Sequence, residues 1–227
     1  MTTLSRGAIV TTAALSIFVG AGVRATVPDA ADNSIRQFLA QDDIQHPYRA
    51  VRRLEARAGD REGWLEARTA FSPQQGFTYE VIAEGGAGFI RDRILRAVLD
   101  GERDMIARGE VARSALAETN YLFCPRGVDA DGLANVLLSP KRRDSVLVDG
   151  TLFLQTADGH PVKLEGRLAK SPSFWTKNVH ILRTFASVDH VIMPVGLESN
   201  ADLRWFGTGS LRMTYTYSEV DGHTVTP

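Results

Sequence analysis

Strand-length segments of period-two alternation fill most of this chain, and the connections between them are too short for the crossovers that a parallel sheet needs. The clearest are 162–168, where Val162, Leu164 and Leu168 oppose Lys163, Glu165 and Arg167, and 211–217, where Leu211, Met213, Tyr215 and Tyr217 oppose Arg212, Thr214 and Thr216. Each predicts a strand with one apolar and one wet face. Further strands are expected at 48–55, 64–71, 77–83, 133–138, 145–148, 151–155, 174–185 and 188–194. Gly59-Asp60 and the insert 72–76 read as turns. Asp149-Gly150 and Asp158-Gly159 read as tight hairpins, because both central residues of a type I′ turn need positive φ. Sequential antiparallel pairing follows.

Two segments break this pattern. Apolar residues at 35, 38 and 39 predict a short helix over 35–44 that ends near Pro47. After Glu84-Gly85-Gly86-Ala87-Gly88, a long helix is predicted at 89–108. At 100° per residue, Ile90, Ile94, Ala97, Val98 and Met105 fall together, and Leu95, Leu99 and Ile106 widen the arc past half the circumference. Arg93, Arg96, Asp100, Arg103 and Asp104 fill the narrow remainder. An arc that wide fits a concave wall better than a flat one, so Ile94 and Val98 are expected to be buried.

The N-terminus has a different logic. Arg6, an apolar run at 8–19 and the small-residue site Val23-Arg24-Ala25 have the order of a cleavable secretory signal. The run is shorter than the roughly 20 residues that span a bilayer, so no permanent transmembrane anchor is expected. Two units result: a signal peptide at 1–25 and one domain at 26–227. Cleavage removes Arg6 and Arg24, which moves the formal charge from −1 to −3 over the remaining 202 of 227 residues. That balance argues against nucleic acid as a partner. With 44% hydrophobic and 23% charged residues, the chain can bury a substantial core. The lone Cys124 offers no internal disulfide and lies far from the cleavage point, so a soluble product without a lipidated N-terminus is expected.

Chemistry-bearing motifs are sparse. Gly86-x-Gly88 precedes a helix, but position 91 is Arg rather than Gly and no βαβ unit follows, so a nucleotide cofactor is not expected. His46, His160, His180, His190 and His223 lack zinc-site spacing, although His180 and His190 could meet across a hairpin. No Gly-x-Ser-x-Gly elbow occurs. Lys141-Arg142-Arg143 reads foremost as a solvated turn. Phe174, Trp175, Trp205, Phe206, Tyr215 and Tyr217 are core or cavity aromatics.

The order signal peptide, helix, strands 48–55, 64–71 and 77–83, apolar helix after Gly88, then strands to Met213-Thr214-Tyr215-Thr216-Tyr217 resembles the LolA-like periplasmic lipoprotein-carrier superfamily, which includes RseB-type sensors. The resemblance implies an α+β, β-rich fold: a strongly curved antiparallel half-barrel with helices packed in its concave face. It implies a periplasmic carrier or binding protein for lipoprotein acyl chains or another hydrophobic ligand, with no catalytic residues, cofactor or metal. An envelope sensor or adaptor that binds another protein is the alternative. A small-molecule enzyme using His180 or His190 is the third reading. The hydrophobic cavity is expected to involve Tyr79, Val81, Ile94, Val98, Leu164, Leu168, Met213 and Tyr215. Arg91 is the candidate for the inward arginine that the carrier family uses to hold its cavity closed.

Overall fold

A computed structural model describes residues 30–41, 45–172, 176–204 and 207–226 of the chain. The expected signal peptide and the aromatics Phe174, Trp175, Trp205 and Phe206 lie outside the described residues. Helix α1 is Ala30–Leu39, several residues earlier than its apolar spacing predicts, because Ala31 and Ser34 as well as Ile35 face the sheet. Three strands follow, β1 (Tyr48–Ala58), β2 (Arg61–Ser72) and β3 (Gly76–Gly86). A helical run then comprises α2 (Gly88–Ile90), a π-helical turn (Arg91–Leu95) and α3 (Arg96–Ala107). The remaining strands are β4 (Tyr121–Val128), β5 (Leu133–Pro140), β6 (Val148–Gln155), β7 (Pro161–Leu168), β8 (Thr176–Val188), β9 (Val191–Leu203), β10 (Gly207–Val220) and β11 (His223–Thr224).

These strands form one antiparallel sheet in the order β3-β2-β1-β10-β9-β8-β7-β6-β5-β4, with β11 beside β10. Every connection within β1–β3 and β4–β10 is a hairpin, as the short turns demand, and the first strand pairs with the last long one. The sheet stays open, with β3 and β4 as its edges. Register shifts in β1/β10, β2/β3, β6/β7 and β8/β9 add local twist and bend the sheet about one apolar face.

Asp149-Gly150 is not a turn. β6 runs straight through it, and Gly150 sits opposite Gly166 of β7. The two strands approach so closely that a Cβ on Gly150 would fall 2.5 Å from the Gly166 Cα. Glycine serves close backbone approach here rather than positive φ. Asp158-Gly159 does lie in a turn, where Gly159 has φ 74°.

The inner face is defined by a row of paired residues crossing the sheet: Val136, Leu152, Leu164, Arg183, Leu197, Met213, Leu54, Leu65 and Glu84. Two clusters of buried side chains lie along it. One joins α1 to β4–β7 through Ile35, Tyr121, Val136, Leu138, Leu152 and Leu164. The other joins the helical run to β1–β3 and β10 through Leu54, Leu65, Phe71, Phe77, Ile90, Leu95, Leu99 and Met213. The connection from β3 to β4 therefore passes from one edge of the sheet to the other across its inner face. No described helix is long and apolar enough to cross a membrane.

Candidate functional site

The helical run meets the sheet through apolar residues in the middle and polar bridges at three places. The π turn inserts one residue, so Ile90 and Leu95, five apart, share the buried face that a strict 3.6-residue period assigns to Ile90 and Ile94. Ile90, Leu95 and Leu99 are fully buried, while Ile94 and Val98 pack half-buried at the flank of the same cluster. The burial expected of Ile94 and Val98 has shifted by one position around the helix.

At the first bridge, Glu84 is brought inward by a β-bulge. The register shift at Glu66/Ala67 moves Ala83 opposite outward-facing Glu66 and puts Glu84 beside Leu65. Its carboxylate then accepts from Arg91 at 2.9 Å and meets Arg96 at 2.7 Å. Arg91 is thus bound to the sheet edge and is not the buried arginine of the inner face. At the second bridge the Tyr79 hydroxyl donates to Asp100 at 2.7 Å, and burial together with that carboxylate raises the phenol's pKa.

The third bridge is the deepest. Arg52, on β1, is 2% exposed, and its guanidinium donates to both carboxylate oxygens of Glu102 on α3, at 2.5 and 2.9 Å. It also donates to the Tyr48 hydroxyl. The guanidinium carbon lies 4.6 Å from the ring centre of Tyr215, 4.9 Å from Phe77 and 5.7 Å from Tyr48. Burial opposes the charge, but the Glu102 hydrogen bonds and charge outweigh it and hold the proton on Arg52 more tightly than usual. Burial raises the pKa of Tyr48 and Tyr215, so both rings remain neutral partners. The Nε of Arg52 is buried without a hydrogen-bond acceptor among the described residues. Next to this cage, an open cleft of about 790 Å³ lies between the end of α3 and the β2–β3 hairpin, bordered by Phe71, Phe77, Ile106 and Val111.

Of the residues expected at the cavity, Tyr79, Val81, Ile94, Val98, Met213 and Tyr215 pack around the cluster beneath the helical run. Leu164 and Leu168 belong to the cluster beneath α1 instead. Sequence reasoning passed over Arg52, whose signal was its place in the alternation Tyr48, Ala50, Arg52, Leu54: a cation at an inward position. Lys141 and Arg142 are engaged locally, with the Glu118 and Arg113 carbonyls and with Asn120 and Asp144. His180 and His190 do not meet; His180 pairs with Asn200 on the strand and His190 occupies the β8–β9 turn. The described histidine–carboxylate contacts are His46–Asp221 and His160–Asp158.

No protein-family model matches this chain, and no curated protein matches its sequence. Three solved structures to which it is similar are those of a LolA superfamily protein of Nitrosomonas europaea, a DUF1329 family protein of Desulfovibrio piger, and a domain of Vibrio parahaemolyticus assigned to outer membrane lipoprotein sorting. The first has a TM-score of 0.43 at 10% identity over 86% of this chain and 94% of that one. The second has 0.39 at 8% identity over 82% and 90%. The third has 0.37 at 11% identity over 84% and 89%.

Proposed function

We propose that this protein is an exported periplasmic carrier of a hydrophobic ligand, and that the helical run 88–107 is a displaceable cover over the apolar inner face. The observation that carries this reading is the Arg52–Glu102 pair. A buried ion pair contributes little net stability, because desolvation of both charges consumes most of the attraction. A hydrophobic pair at the same place would close the cover more firmly. An ion pair instead supplies a contact with two well-defined states, since Glu102, at 31% exposure, can turn to water when the helix moves. Acyl chains would then replace Leu95 and Leu99 against Leu54, Leu65 and Met213. That exchange of one apolar contact for another keeps uptake and release close to balance.

Export follows the same reading: the signal is cleaved after Ala25 and the domain works outside the cytoplasm. Native mass spectrometry of the protein purified from its own envelope tests the proposal. The expected species begins at Thr26 and carries the mass of a lipid or acylated peptide. A ligand-free protein that also fails to take up an added fluorescent fatty acid would overturn it.

A further inference from the structure

In the inner-face row only Arg183 and Glu84 carry charge, and their surroundings differ. Glu84 is neutralised by Arg91 and Arg96. Arg52, two residues before the row's Leu54 on β1, is neutralised by Glu102. Arg183 sits between Leu164, which is 4% exposed, and Leu197, and is itself half-buried. Its guanidinium carbon lies 5.5 Å from the Phe185 ring centre, and no carboxylate among the described residues pairs with it. Burial raises the pKa of Tyr121, Tyr215 and Tyr217, and the Arg183 charge works against that rise in all three. These phenols belong to clusters on both sides of β8. Arg183 therefore stands between the two helix-covered halves of the face.

A half-buried guanidinium flanked by leucines loses hydration, and among the described residues it gains in return a ring contact with Phe185 but no ion pair. We infer that Arg183 is the recognition point for the anionic head, carboxylate or phosphate, of an amphiphile whose apolar part lies on the inner face. This rests on the carrier reading and adds to it the chemical class of the ligand. A neutral lipid would leave the guanidinium as it is, whereas an anionic head supplies charge-assisted hydrogen bonds.

The test uses a fluorescent fatty acid and its methyl ester in mildly alkaline buffer, with the parent protein, Arg183→Gln and Arg183→Lys. The parent should bind the acid about tenfold more tightly than the ester. Arg183→Gln should bring the acid down to the ester's affinity and leave the ester unchanged, while Arg183→Lys keeps most of the preference. Equal affinity of the parent for acid and ester would overturn the inference and leave the carrier reading standing. A preference retained in Arg183→Gln would do the same. If the parent bound neither probe, the carrier reading would fall and this inference with it. Acetate and inorganic phosphate complete the series: either one binding alone as tightly as the acid would assign Arg183 to free anions and overturn the amphiphile. Should Arg183→Gln fail to fold, the acid–ester comparison in the parent and in Arg183→Lys decides the matter.

Discussion

Arg52 is enclosed by three aromatic rings and one carboxylate, so its cost depends on which partner is taken away. Removing the negative charge alone strands a cation in an apolar site. Glu102→Gln is expected to lower unfolding stability by about 2 kcal/mol, less than a fully buried pair would lose because Glu102 keeps 31% exposure. The double change Arg52→Met with Glu102→Leu should restore parental stability or exceed it by about 1 kcal/mol. Urea unfolding of the two variants measures this, and a single variant as stable as the parent would count against the pair as a latch. The alternation of β1 made the inward direction of Arg52 legible. Its partner was not, since Glu102 is fifty residues away in sequence and reaches Arg52 only because the π turn sets the phase of α3. Glu84 was hidden for a different reason: an extra residue at Ile82, two places earlier on its own strand, decides its face, and a strict period of two does not encode it.

Among the elements, α1 is docked by Ala31 and Ile35 in the buried cluster with β4–β7 and by one close approach to the β6–β7 turn. Gly159, at φ 74°, lies so near the helix that an added Cβ would fall 2.7 Å from the Phe38 nitrogen and 2.7 Å from the Ser34 oxygen. Gly159→Ala is expected to cost about 2 kcal/mol or more, combining the positive φ with displacement of α1. The expected signature is a lower urea midpoint with Tyr121 and Phe38 more exposed; an unchanged midpoint would contradict the packing described. Strand positions were legible in β1, β2, β7 and β10, which alternate between a wet and an apolar face, whereas β4 and the second half of β9 were not expected and the strand expected at 145–148 is loop up to Val148. The Asp149-Gly150 turn was misread because a glycine needed for strand–strand approach looks, in sequence, like a glycine needed for positive φ. The π turn was equally silent, since an inserted residue in a helix with a wide apolar arc leaves the hydrophobic pattern plausible at every phase.

For the whole molecule, the open sheet divides its inner face into a half beneath α1 and a half beneath the helical run, and the two halves have different duties. The first is filled by Leu138, Leu152, Leu154 and Tyr121, all essentially inaccessible to solvent, and acts as the fixed part of the structure. The second is closed by a helix with a short buried stripe, three polar bridges and an adjoining cleft, the arrangement that the proposed displaceable cover requires. The layout of helix and strands was readable from the order of periodicities along the chain. The contacts on which the proposed opening rests were not, because they join residues that the topology alone brings together. Spin labels placed on the exposed residues Asp104 of α3 and Thr214 of β10, with the exposed Cys124 replaced by Ser, report the distance between the cover and the sheet by pulsed electron resonance. A saturating fatty acid should lengthen that distance and broaden its distribution; bound fatty acid with the distribution unchanged would contradict a displaceable cover.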